Sequence, residues 1–362
     1  MNRSSRVVSG LAGMNPTAAW RNFQDLSIPP MRGGRFALNR ARVCVNHNAS
    51  NMGKILVIRG GAIGDFILTL PVLQAIQANL PANDVEVLGY PRIARLAVAG
   101  GLAARVESIE SRAVAGFFAR HGPLAESLRD YFSEFDLIIS FLYDPDEIFQ
   151  ENVRRCTTGQ FIAGPHRPDE TQNLHATACF LKPLERLAIF EAEAFPRLAI
   201  ERTDNGPASA LKLEMATGNW LAIHPGSGSE KKNWPESGWR QFIEQLLAGT
   251  DWKLLIIGGE SEGGRLDRLA EAAPAGRVAV ARSLPLPEVA QLLALARGFV
   301  GHDSGISHLA AAVGRPGIVL WGETNPAIWR PPSLQFELLT HPGGLAAISP
   351  EAVLNACRER WG

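Results

Sequence analysis

From Lys54 onward the sequence alternates short β-rich runs with helical stretches, and it does so twice, with one break between. The first set of strands reads "KILVIRG", "DVEVLGY", "ARVESIE", "FDLIISF" and "GQFIAGP". Between and after them lie helical stretches: "GDFILTLPVLQAIQANL", "RIARLAVAG", a longer one ending near "LRDYF", and "ETQNLHATACFLKPLERL". A strand that must run parallel to its predecessor needs a crossover, and a helix is the usual one, so regular alternation predicts a parallel sheet covered on both faces. The rhythm fails over "FPRLAIERTDNGPASALKLEMATGN" and restarts with "WLAIHPG", "WKLLIIGG", "GRVAV", "RGFVGH", "PGIVLWG" and a weak sixth strand, "QFELLT". Two doubly wound α/β domains in series follow, over residues 52–205 and 206–345, with a closing helix in 346–362. Such sheets bind ligands beyond the carboxyl ends of their strands, so the cleft between the two domains is the expected site.

Bulk properties remove several function classes. Lys and Arg number 36 and Asp and Glu number 36, and a balanced chain lacks the basic excess of a nucleic-acid binder. No apolar run approaches the roughly 18 residues that cross a bilayer. Cys44, Cys156, Cys179 and Cys357 share no metal-ligand or redox spacing, which fits a reducing, cytoplasmic setting. Residues 1–51 stand apart, with seven arginines, no lysine and Asp25 as their one acid. That composition reads either as a transit peptide or as an extension outside the fold, disordered or an over-long start before Met52, and the second reading is preferred.

Each domain's first strand ends in a glycine-rich turn. "RGGAIGDF" (59–66) has Arg59 where a dinucleotide fingerprint needs glycine, and the second strand ends without an acid for a ribose, so a nicotinamide enzyme is disfavoured. What it offers is Asp65 at a helix start, either a dipole-favoured acid or a general base. In "HPGSGSEKKNWP" (224–235), Gly226, Ser227, Gly228 and Ser229 bring small donors close to Lys231 and Lys232, which reads either as a place where a phosphate can sit or as a flexible, solvated basic loop. A third strand runs into "HDSGISHLAAAVGRP" (302–316), where Asp303 or Ser304 is either a simple N-cap or part of an anion site at the helix start. Two such anion sites on one sheet edge suggest a ligand with two phosphates.

The three motifs "ILVIRGGAIGDFILTLPVLQAI", "LAIHPGSGSEKKNWPESGWRQFIEQL" and "VGHDSGISHLAAAVGRPGIVLWGETNPAIW" together resemble the bacterial heptosyltransferases of glycosyltransferase family 9, in order and over roughly residues 54–360. The resemblance implies a GT-B fold, in which two Rossmann-like domains face each other across a cleft. It implies an inverting transferase that takes a sugar, heptose from ADP-heptose, to a hydroxyl of a lipopolysaccharide-core or related glycan acceptor, with no metal or other cofactor. Asp65 then matches the catalytic base, and Lys232 the lysine on the diphosphate and sugar. Ser227 and Gly228 match the phosphate loop, and Asp303, Ser304, Gly305 and His308 the motif around sugar and diphosphate. Glu262, with Glu260 competing, matches the acid on the ribose, and Leu284 the apolar residue beside the adenine. The implied partners are the nucleotide sugar and a glycolipid or oligosaccharide, with peripheral contact at the inner face of the cytoplasmic membrane.

Departures from the family pattern are Ser304 for threonine, Glu323 and Asn325 in "GETNP", and Gly60-Gly61 before the acid. Asp144-Pro145-Asp146 has the D-x-D form of metal-dependent transferases, but its proline and position favour an ordinary turn. Arg92, Arg95, Arg120, His121, Arg154, Arg155, His166 and Arg167 are spread over the acceptor half; most read as solvated surface, some as contacts to an anionic glycolipid. The alternatives are a nucleotide-sugar epimerase of the same architecture, which needs no acceptor, and a diverged, non-catalytic nucleotide-sugar-binding protein.

Overall fold

The computed structural model describes residues 53–362 apart from His121 and Asp204; the extension assigned to 1–51 lies outside the described residues. Two sheets form, both entirely parallel. The first has the order β3-β2-β1-β4-β5, from β1 (Lys54–Arg59), β2 (Asp84–Gly89), β3 (Arg105–Ser108), β4 (Leu137–Ser140) and β5 (Gln160–Ala163). The second has the order β11-β10-β9-β6-β7-β8, from β6 (Trp220–Ile223), β7 (Lys253–Gly258), β8 (Val278–Arg282), β9 (Gly298–His302), β10 (Gly317–Leu320) and β11 (Phe336–Leu339). The weak sixth strand therefore forms, pairing with β10 from Phe336 opposite Gly317.

The strands read as near-continuous apolar runs because both faces are covered. On β1, Ile55 and Val57 pack with Phe66, Leu70 and Leu73 of the helix Ile63–Asn79, while Leu56 and Ile58 face Phe117, Phe132 and Phe149. The winding reverses at β1, which sits between β2 and β4, and at β6, which sits between β7 and β9. At these switch points the loops after adjacent strands diverge and leave a crevice. All three glycine-rich motifs lie at them.

Two expected helices are broken. The stretch before "LRDYF" becomes short turns at Arg112–Ala115 and Gly116–Phe118 and then the helix Glu126–Ser133. Gly122-Pro123 separates them, and a side chain at Gly116 would meet the Pro123 carbonyl at 2.9 Å. "ETQNLHATACFLKPLERL" divides where Asn173 turns left-handed, at φ 50°, leaving the helix Ala176–Leu181 and a tighter turn from Lys182 to Leu187.

The stretch that breaks the alternation has its own anchor. Lys212, in the helix Ser209–Met215, is fully buried; its ammonium donates to the Thr203 carbonyl and to Gln291 Oε1 at 2.7 Å, and lies 3.1 Å from Glu288. Gln291 in turn donates to the Glu201 carbonyl at 2.8 Å. A buried ammonium needs this full set of acceptors to offset its lost hydration. The result ties the chain around 201–205 to the helix Leu286–Leu295 of the second sheet.

Candidate active site between the two sheets

The two sheets meet through glycine. A methyl on Gly305 would lie 2.6 Å from Ile63 Cβ and 2.9 Å from the Gly64 nitrogen, and one on Gly64 would lie 3.3 Å from the His308 ring. The start of the helix Gly305–Ala312 therefore rests on the start of the helix Ile63–Asn79. Two positive helix ends converge on one cavity of about 1020 Å³. That is at the upper end of small-molecule sites, large enough for two substrates.

Asp65 lies in the first turn after β1 and lines this cavity. Its Oδ2 accepts the Ala62 N–H at 2.9 Å, and its Oδ1 sits 3.6 Å from the Arg59 guanidinium. Gly61, at φ 96°, makes the turn and leaves room for that carboxylate, since a methyl there would come within 2.8 Å of it. Arg59 is almost completely buried, donates to the carbonyls of Phe141 (3.3 Å) and His166 (2.9 Å), and stacks over Phe180 at 4.5 Å. Burial lowers its pKa to about 10, against the stabilising charge of Asp65. The residue that disqualified a dinucleotide fingerprint is thus the brace behind the acid.

Across the cavity, Lys232 and Asp303 form an ion pair at 2.5 Å, with Asp303 nearly buried and Lys232 partly exposed. Gly228, Ser304, Gly305 and His308 line the same cavity. Ser304 occupies the N-cap position but makes no cap hydrogen bond; its hydroxyl is 3.3 Å from Ser307 Oγ. The simple N-cap reading of Asp303 and Ser304 therefore does not describe this turn.

Three of the sequence candidates lie elsewhere. Ser227 is nearly buried, and its hydroxyl donates to the Ser229 carbonyl at 2.7 Å, so it shapes the loop while Gly228 and Ser229 face the cavity. Glu262 is buried against Gly226 and accepts from Gly259 N–H and from Ser261 Oγ at 2.8 Å, while Glu260 is exposed. Leu284 is half-buried against the core after β8. Of the eight acceptor-side Arg and His residues, His166 and Arg167 line the cavity; His121 lies outside the described residues. Asp144 accepts the N–H groups of Phe149 and Gln150 at 3.1 and 2.9 Å, which makes it a cap at the start of the helix Ile148–Arg154. Among the described residues no group of three or more His, Cys, Asp or Glu gathers to hold a metal ion.

Sequence reasoning missed the clasp on the far side of the cavity. Glu170 pairs with Arg167 at 2.7 Å and accepts from Trp329 Nε1 at 3.3 Å, and Arg167 lies over the Trp329 ring. Asn325 donates to Asn173 at 3.0 Å and also caps the turn Pro326–Trp329, which accounts for one departure from the family pattern. Glu323 lines the cavity nearby. It also missed His302, the last residue of β9. Its Nε2 accepts the Trp234 N–H at 2.8 Å, so Nδ1 carries the proton and faces the Gly226 carbonyl at 3.3 Å. A polar residue ending an otherwise apolar strand was the available signal.

Burial drives the pKa of His302 to about 3 and that of His308 to about 4, the latter despite the opposing charge of Asp303. Both are neutral in the fold. The unfolded chain takes up protons near pH 6.5, so stability is fully present above that pH and is lost as pH falls toward 4. Each ring accounts for about 1.4 kcal/mol per pH unit in that window, so about 4 kcal/mol is lost for the two between pH 7.5 and pH 5. Denaturant midpoints at the two pH values measure it; equal midpoints contradict the buried, neutral assignment.

Comparison with known proteins gives a consistent result. Residues 184–341 match the model of glycosyltransferase family 9 (heptosyltransferase). Over 100 residues the chain is 41% identical to lipopolysaccharide heptosyltransferase 1 of Salmonella typhimurium, a stretch covering 27% of this chain and 31% of that protein. It thus spans about a third of the length of such curated relatives. A family 9 glycosyltransferase from Veillonella parvula superposes with TM-score 0.69 at 18% identity, over 86% of this chain and 99% of that one. The E. coli heptosyltransferase WaaC, solved with ADP, superposes with TM-score 0.62 at 22% identity, over 85% and 99%. The fold is therefore GT-B. No described helix is long and apolar enough to cross a membrane.

Proposed function

On the premise that residues 184–341 are a glycosyltransferase family 9 domain, we infer that this protein is an inverting glycosyltransferase that moves heptose from ADP-heptose to a hydroxyl of a lipopolysaccharide-core or related glycan. The observation that carries this reading is that Asp65, from the first sheet, shares one cavity with Lys232, Asp303 and an uncapped helix start from the second. The names of the relatives, and the ADP held by one of them, support the choice of donor.

In this mechanism the diphosphate lies against Gly228, Lys232 and the N-terminal turn at Gly305, where a cation and a helix dipole stabilise the charge of the departing ADP. Asp303 binds sugar hydroxyls. Asp65 takes the proton of the acceptor hydroxyl as its oxygen attacks the anomeric carbon from the face opposite the leaving group, so configuration inverts. Glu262 and Leu284 do not line the cavity, and we assign them to the ribose and adenine end of the donor.

The experiment is product analysis with ADP-heptose, with and without a lipopolysaccharide-core acceptor, in the presence of a chelator. Transfer with inverted configuration and release of ADP is expected, unchanged by removing divalent ions. An altered nucleotide sugar formed from donor alone makes the protein an epimerase instead, and no reaction with either makes it a binding protein.

A further inference from the structure

The loop that carries Gly228, Ser229 and Lys232 to the cavity runs from Gly226 to Trp234, and one buried ring holds both of its ends. That ring is His302, at the carboxyl end of β9. Its Nε2 accepts the Trp234 N–H at 2.8 Å, and its Nδ1 donates to the Gly226 carbonyl at 3.3 Å. The ring is itself fixed by packing. It stands edge-on to Trp239 at 5.4 Å, and Trp234 stands edge-on to the same indole at 5.3 Å while donating from Nε1 to the Ile348 carbonyl at 3.0 Å.

Between its ends the loop makes short-range bonds of its own. The Ser227 hydroxyl donates to the Ser229 carbonyl, and the turn Glu230–Lys232 is closed by the Lys232 N–H on the Ser229 carbonyl at 2.9 Å. On its outer side Arg265 reaches Glu230 at 3.1 Å, but that acid is largely exposed and such a pair contributes little. The inner side is held differently. Two consecutive residues of one strand end, His302 and Asp303, grip positions 234 and 232, the first through the backbone and the second through the ammonium. An ion pair alone does not place a partly exposed lysine, whose four-carbon stem is flexible. The backbone bond two residues on fixes where that stem begins. A histidine suits the task because one rigid ring presents an acceptor and a donor in divergent directions.

We propose that His302 is a positioning residue for the donor: by clamping both ends of this loop it sets where the Lys232 ammonium meets the diphosphate. It does not line the cavity and acts through Lys232. The role rests on the transferase reading above, which puts the diphosphate at that lysine.

The test is calorimetric titration of the full chain with ADP, for the parent, His302→Asn and His302→Gln, each also combined with Lys232→Ala. An asparagine amide stands where Nδ1 stood and falls short of Trp234, whereas a glutamine amide reaches the position of Nε2 and keeps an acceptor for the Trp234 N–H. His302→Asn is expected to weaken ADP binding about tenfold and His302→Gln less than about threefold, by displacement of the cation from its working position. With Lys232→Ala already present, His302→Asn should cost less than about twofold more, because the displaced stem no longer carries an ammonium. A role confined to loop stability would cost the same in both backgrounds. Equal losses in the two backgrounds therefore overturn the proposal, as does His302→Asn binding ADP like the parent or better than His302→Gln. Nitrogen NMR of the parent's ring tests the clamp without any substitution. The Nδ1–H tautomer is expected with and without ADP; a proton on Nε2, which leaves Trp234 no acceptor, overturns the proposal even where a variant fails to fold. A parent that binds no ADP overturns the donor assignment and this role with it, whereas a parent that binds ADP beside an unaffected His302→Asn overturns the role of His302 alone.

Discussion

Replacing Asp65 by asparagine is expected to lower sugar transfer by about a thousandfold, within the range for loss of a general base, while ADP affinity changes by less than about twofold. The asymmetry follows from position. Asp65 belongs to the first sheet's helix start, whereas the cation and loop assigned to the diphosphate belong to the second sheet. Asparagine keeps an oxygen for the Ala62 N–H, so the turn is preserved, but it cannot hold the acceptor's proton. Alanine also loses the capping contact, at a further cost of about 1 kcal/mol. Both variants strip buried Arg59 of its counter-charge, so both should be less stable by about 1–3 kcal/mol, and rates are best compared well below both unfolding midpoints. Turnover within tenfold of the parent removes Asp65 as the base. An equal loss of ADP affinity would make it a donor contact instead.

The same residues show how far a sequence can be read. Asp65, Gly228, Lys232, Asp303 and His308 were legible because each lies in the turn or helix start that follows the carboxyl end of a parallel strand, and strand periodicity locates those ends. Their roles were less legible. Asp303 could have been an N-cap; its pairing with Lys232, 71 residues away, depends on two loops meeting over adjacent strands β6 and β9. Arg59 looked like a flaw in a nucleotide motif, and its function as a brace depends on carbonyls from Phe141 and His166 arriving from other loops. Glu170 and Trp329 are 159 positions apart and carry no motif. Ser227 shows the reverse error: a residue in the expected loop turns its hydroxyl into that loop. Spacing reports where the chain reaches the sheet edge, but which loops then touch is a property of packing.

Opposite effects on ADP binding are expected from the two members of the Lys232–Asp303 pair. The Lys232 ammonium lies 2.5 Å from Asp303 Oδ2, so the acid offsets its charge. A diphosphate has to share that cation with an acid and approach the acid's own charge. Lys232→Ala removes the cation and leaves Asp303 nearly buried and unpaired, so ADP affinity should fall between about tenfold and about a hundredfold, the range for a charge-assisted contact discounted for the exposure of Lys232. Asp303→Asn frees Lys232 and deletes a like charge, so ADP should bind roughly three- to tenfold more tightly. Turnover should nevertheless fall, because the sugar loses its carboxylate contact; tighter product binding also slows release. Calorimetric titration with ADP on both variants, at low and high salt, measures the signs directly, and the difference should shrink as salt screens the exposed lysine. If Asp303→Asn binds ADP more weakly than the parent, the acid is a strut that holds Lys232 in place, and competition between carboxylate and diphosphate is not what sets donor affinity.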